Sequence, residues 1–312
     1  MLLGTASAVY RVPDDPSQPP APRFEHEGVC CAAEGRRVAV VAMEGGALAV
    51  LEGDKTRTLE AAVREPIASL LLLAEQPLEV LVGTEEARLY RVLGERPKAE
   101  RLEAFDALPC RSGWHTPWGG PPAVRSLAAT PDRWVYADIH VGGIMRSPDG
   151  GLTWEPVTPD LNEDVHQVAT CPAAPERVYA NTARAFYLSE DRGRSWQHRA
   201  ADLQERYGRC VAVHPARPDL VLVTVSDGPH GDDVHGMLYR TEDAGRSWTH
   251  VTGGFPASTA KNIDTYHVAF SPAGVAFAVV GPALYASRDC GATWRRTWKA
   301  PESIRMLAAR GK

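Results

Sequence analysis

The octapeptide SPDGGLTW at residues 147–154 recurs as SEDRGRSW at 189–196, TEDAGRSW at 241–248 and SRDCGATW at 287–294. The shared pattern is Ser/Thr-x-Asp-x-Gly-x-Ser/Thr-Trp, and successive copies begin 42, 52 and 46 residues apart. Inside each box the hydroxyl and carboxylate can accept bonds from nearby backbone N–H groups, and the glycine can take φ > 0. The tryptophan then opens the next strand and packs against a neighbour. The box reads as a hairpin device: it folds the chain and carries no chemistry.

Each box follows the same context, an apolar run ending in Pro, a second short strand and a third strand leading into the box. The runs VRSLAATP, HQVATCP, RCVAVHP and YHVAFSP show this most plainly. Alternation, frequent turn residues and almost no helix-period segment make the chain all-β, and a period of this length fits one four-stranded propeller blade per repeat. Residues 28–53 and 67–94 repeat the pattern without a box and supply two further blades. The segment SIRMLAAR (303–310) reads as an inner strand with nothing after it, and LLGTASAVYRV (2–12) as second and third strands with nothing before them. Joined, they close the ring and remove two sheet edges. The expected architecture over residues 1–312 is a single seven-bladed β-propeller closed between its N- and C-terminal strands.

Several function classes drop out on composition. With 44% hydrophobic and 23% charged residues and a net charge of −5, the chain is globular and lacks the basic surplus that phosphate-backbone binding requires. No window approaches the 18 to 20 apolar residues of a membrane helix, and the first residues have no basic signal-like region. The six cysteines are scattered, with no CxxC pair. The expectation is a cytoplasmic protein whose partners include neither nucleic acid nor membrane.

Topology sorts the remaining polar residues. If inner strands run downward from the top, interblade loops and second-to-third-strand loops lie at the top, where propeller pockets open, and the boxes lie at the bottom. Aligned inner strands put Arg125, His166, Arg209, Tyr266 and Arg305 at equivalent positions. Guanidiniums facing one channel need an anion, or acidic neighbours such as Asp164 and Asp264, to neutralise them. The anion-site reading takes Arg125, Arg209, Arg305 and Asn262 as ligand-binding, with Trp114 and Trp118 of the insertion GWHTPWGGPP as pocket wall or lid. His140, His166 and His230, from successive blades, could converge on one Zn, Fe, Cu or Mn ion, with Asp138, Asp164 or Asp227 supporting them. The alternative for these histidines is hydrogen bonding in polar loops. Tyr266, Asp264 and His115 are the catalytic candidates.

The four boxes resemble the Asp-box, or BNR, repeat of sialidases and many other propellers. That resemblance implies the fold and places the boxes opposite the usual active site. YRVP at residues 10–13 is similar to the early Arg-Ile-Pro motif of sialidases, but the first box comes about 135 residues later and the expected ring has seven blades, against six in sialidases. The chain also resembles the seven-bladed photosystem II assembly factors, which implies an arginine patch docking a protein segment, and cytoplasmic bacterial BNR-repeat proteins. Carotenoid-cleaving oxygenases, another propeller family, offer the analogy of iron held by histidines from separate blades. The leading expectation is a top-face pocket for an anionic small molecule, leaning towards a metal-dependent enzyme. A non-catalytic scaffold binding a protein segment comes second, and a sialidase-like glycoside hydrolase third.

Overall fold

The computed structural model describes residues 1–59, 63–94 and 96–309. It is all-β, with seven four-stranded antiparallel sheets arranged as the blades of a β-propeller. Blade 1 runs from the inside outward as Met306–Ala308, Leu2–Gly4, Ala8–Arg11 and Ala21–Glu25. Its register pairs Leu2 with Ala308, Leu3 with Leu307 and Gly4 with Met306, so the last strand closes the ring on the first. Arg310, the final residue of the segment expected to form this strand, lies outside the described residues. Blades 2 and 3 span Val29–Leu59 and Ile67–Arg101 and have no box. Blades 4 to 7 span Val124–Pro156, Val165–His198, Tyr207–His250 and Val268–Lys299, each with one box between its third and fourth strands.

Position in the blade explains burial. The second strand of blade 2, Val38–Met43, is covered on both faces by neighbouring blades and is buried throughout, while its outer strand Lys55–Leu59 is exposed except at Leu59. A strand buried on both faces loses hydrophobic alternation and reads as a continuous apolar run.

The boxes are hydrogen-bonded cages. Asp149 Oδ1 accepts from the N–H groups of Leu152 and Thr153, each at 2.9 Å, and from Ser147 Oγ at 2.8 Å, while Oδ2 accepts from Thr153 Oγ1 at 2.7 Å. Ser147 Oγ also accepts from Gly151 N at 2.7 Å. Asp191, Asp243 and Asp289 build the same cage. The conserved glycines of the pattern sit at φ of 92°, 82°, 84° and 86°, and a Cβ on Gly245 would stand 2.7 Å from Phe186 of the preceding blade. Glycine thus serves both the left-handed backbone and close blade packing.

Burial pushes the Asp149 carboxyl up, but the bonds from Thr153, Ser147 and Leu152 outweigh it and hold the group at about 2; Asp243 and Asp289 are also held at about 2. Their folded-state affinities for protons are depressed, so the stability they add is present above about pH 4 and lost as pH falls through about 2. Replacing Asp149 by Ala should cost about 2 to 3 kcal/mol, since four bonds to a charged acceptor are lost. A calorimetric melt at pH 7 checks this. The variant should also lose less stability than the parent on acidification from pH 5 to pH 2.

One irregularity positions the functional surface. The first-to-second-strand register slips at Cys30, Ala68, Arg125, His166 and Arg209–Cys210 in blades 2 to 6. A bulge there takes one residue of the inner strand, or in blade 6 the pair Arg209–Cys210, out of the regular pairing and re-aims side chains. The first strands of successive blades pack against one another around the axis, so these bulges ring the channel mouth.

Candidate functional site

A lower and an upper cavity lie along the inner strands among the described residues. The lower one, about 320 Å³, is lined mainly by Ala, Leu, Val and Pro side chains of all seven inner strands. The upper one, about 840 Å³, is lined by charged and aromatic groups, among them Glu44, Glu85, Trp118, Arg125, His140 and Arg305. The polar and aromatic side chains of the channel are thus gathered at its upper mouth. Tyr266 stands at the lower cavity with φ +62°, its hydroxyl facing Leu127 N of blade 4 at 3.4 Å. Its side chain thus crosses the channel between two blades.

Arg125 and Arg305 line the upper cavity, as the inner-strand alignment expects. Arg125 is half-buried; its Nη1 is shielded from solvent and has no hydrogen-bond partner among the described residues. Burial and then the neighbouring Arg209 lower its proton affinity. Arg209 is occupied elsewhere: its guanidinium lies 3.6 Å from Asp264 Oδ1, donates to Pro229 O at 2.9 Å and sits 4.9 Å from the Tyr207 ring centroid. Asn262 likewise bonds the carbonyls of Gly228 and Pro229, at 3.2 and 3.0 Å. Both residues fasten the second-to-third-strand loop of blade 6 and do not line the cavity.

The catalytic candidates are placed differently from expectation. Burial raises the Tyr266 phenol well above its ordinary value and its hydroxyl does not face the upper cavity, so it is not presented as a nucleophile there. Asp264 accepts from Thr265 N at 2.9 Å and faces Arg209, and is held below the usual carboxylate range despite burial. His115 is exposed, with Nδ1 3.1 Å from Gly113 O. The two insertion tryptophans part company. Trp114 is 8% exposed and packs on Phe105 at 5.5 Å between ring centroids, as part of the blade 3–4 core. Trp118 is 67% exposed and forms the cavity wall, its ring 4.9 Å from that of His140.

His140 and His166 do come together, but with Asp164. Asp164 Oδ1 lies 3.1 Å from His166 Nε2 and 3.7 Å from His140 Nε2, and the three ligand atoms fall within 4.8 Å of one another. A β-bridge between His140 and Asp164 and bonds from Gly142 N and Gly143 N to Glu163 O hold the two segments in place. His230 is exposed on the blade 6 loop and is not in this group. Burial, then Arg125, lowers His140 to about 4, and burial also lowers His166. Beside them Asp138, fully buried and bonded by Ser126 N, is pushed up to about 7 by burial. Sequence reading gave Asp164 only a supporting role. The signal for it was present: Asp164 stands two residues before His166, close enough along the chain to share its site.

Comparison with known proteins agrees with this fold. The Sortilin-Vps10 family model (sortilin, neurotensin receptor 3) matches residues 142–262, less than half of the chain. An oligoxyloglucan-reducing end-specific xyloglucanase of Emericella nidulans is 27% identical over 184 residues, covering 51% of this chain and 22% of that protein. The solved GH74 xyloglucanase of Xanthomonas campestris superposes with a TM-score of 0.63 at 18% identity, over 86% of this chain and 45% of that one. The structure of YCF48 bound to D1 peptide matches with a TM-score of 0.58 at 14% identity, over 95% of this chain and 84% of that one. The chain thus spans under half of the xyloglucanases it matches. These likenesses support a β-propeller fold of the kind seen in the GH74 xyloglucanase and YCF48 structures. Among the described residues no helix is long and apolar enough to cross a membrane.

Proposed function

We propose that the upper channel mouth binds an anionic small molecule, with carboxylate-bearing sugars the best-matched class. The observation that carries this is Arg125: its Nη1 is buried without a partner at the wall of a cavity of about 840 Å³. A buried guanidinium N–H left unpaired is costly, and a ligand carboxylate supplies the acceptor it lacks. Arg305 adds a second cation at the same wall, and the exposed Trp118 ring offers a flat apolar face of the kind on which a sugar ring stacks. The likeness to xyloglucanases favours carbohydrate over other anions.

The test is calorimetric titration with trigalacturonate and with neutral xyloglucan oligosaccharides. Trigalacturonate should bind, and Arg125→Ala should weaken it by about 10- to 100-fold, the loss of a charge-assisted bond worth about 1.5 to 3 kcal/mol. Equal binding of neutral and acidic sugars would refute the anion reading. No binding of either would favour docking of a protein segment. Hydrolysis is a second reading, favoured by Glu44 and Glu85 lining the same cavity, because glycoside cleavage uses two carboxylates flanking the bond. In that case Glu44→Gln and Glu85→Gln should each abolish sugar release while keeping binding.

A further inference from the structure

We infer that His140 Nε2, Asp164 Oδ1 and His166 Nε2 together hold a divalent first-row transition-metal ion whose remaining coordination positions open into the upper cavity. The argument starts from a tautomer. His166 Nδ1 lies within hydrogen-bond reach of Gly208 O, and a carbonyl oxygen can only accept, so Nδ1 carries the proton. The neutral ring then presents the Nε2 lone pair to a carboxylate oxygen 3.1 Å away. Two lone pairs at that distance repel unless a positive charge lies between them. His166 is fully buried, and among the described residues no third group donates a hydrogen bond to its Nε2 or to Asp164 Oδ1, so the two atoms face only each other and His140.

The geometry suits a metal. An ion about 2.0 to 2.2 Å from each ligand sets its ligands about 3 to 3.5 Å apart, close to the 3.1 and 3.7 Å separations from Asp164. A backbone carbonyl on the other ring nitrogen is the usual second partner of a metal-bound imidazole, fixing which nitrogen ligates. Two imidazoles and one carboxylate select a borderline ion such as Zn²⁺ or Fe²⁺ over Mg²⁺ or Ca²⁺, which prefer oxygen sets. His140 lines the cavity, and Trp118 covers its ring from the solvent side. Arg125 is the nearby cation that a second positive charge must tolerate, and the carboxylates of Asp164 and Asp264 offset it.

This site stands beside the ligand reading and is tested with metal alone. EDTA-treated protein is titrated calorimetrically with Zn²⁺, and in parallel with Mg²⁺. One equivalent of Zn²⁺ should bind, and Mg²⁺ should give no heat. Asp164→Asn preserves shape and removes the charge; it should weaken Zn²⁺ by about 100-fold or more, beyond the roughly 10- to 100-fold of losing an outer partner. His140→Gln should act alike, and His230→Ala should bind as the parent does. Circular dichroism melts establish that each variant is folded. Failure of the folded parent to bind Zn²⁺, or unchanged binding in folded Asp164→Asn, overturns the inference. So does a nitrogen NMR spectrum showing His166 protonated on both nitrogens at neutral pH in Zn²⁺-treated protein, since a proton then fills the place assigned to the metal. Loss of trigalacturonate binding in Arg125→Ala, measured without metal, reports on the ligand reading alone.

Discussion

Removal of residues Ser303 to Lys312 should abolish cooperative folding. Met306–Ala308 is the inner strand of blade 1, and without it Leu2–Gly4 becomes an open edge facing the channel. The deletion also removes the Leu307 N–H that donates to Tyr266 O at 2.8 Å, a bond that ties blade 1 to blade 7. Ile304, Met306 and Leu307 are all at most 5% exposed. Burying three such side chains contributes about 5 to 9 kcal/mol, comparable with the whole net stability of about 5 to 15 kcal/mol of an ordinary domain. The truncated protein should aggregate through its open edges. A soluble monomer with a sharp calorimetric transition near that of the parent would refute closure by this strand.

The second large effect is expected in the connection between blades 3 and 4. Phe105 is fully buried, edge-on to the box tryptophan Trp154 at 5.1 Å and tilted against Trp114 at 5.5 Å. Phe105→Ala should cost about 3 to 5 kcal/mol, because the rigid aromatic pair cannot collapse into the space. Trp118→Ala, at an exposed ring, should change stability by less than about 1 kcal/mol. Denaturant unfolding of the two variants separates the part of the insertion that is core from the part that is pocket wall. Equal losses would contradict that division.

These contrasts show what the sequence could and could not convey. The box hairpins were legible because their code is local: hydroxyl, carboxylate and glycine act on backbone groups within five residues. The ring count was legible because each blade repeats one strand order and the termini carried complementary halves of one blade. The bulges were not, since an extra residue in a ladder looks like any other residue in an alternating run. The aligned ring of Arg125, His166, Arg209, Tyr266 and Arg305 therefore divides in space. Arg125 and Arg305 face the upper cavity, Arg209 turns to Asp264 and Pro229, and Tyr266, in left-handed backbone, faces the lower cavity. Trp114 and Trp118 stand four residues apart with opposite fates because the 3-10 turn Pro109–Gly113 delivers the first into the core. His230 was grouped with His140 and His166 by blade order alone, whereas Asp164 reaches them through the strand start that it shares with His166.

The central claim is that recognition belongs to the upper channel mouth and the boxes only hold the fold. The most direct measurement is a paired one, the melting temperature and the trigalacturonate Kd of Asp149→Ala and Arg125→Ala. The account predicts that Asp149→Ala melts several degrees lower but binds within about twofold of the parent, as expected for distant, uncoupled sites. It predicts that Arg125→Ala melts near the parent and binds at least about 10-fold more weakly. A box variant that keeps its melting temperature and loses binding, or an Arg125 variant that binds as tightly as the parent, would contradict it.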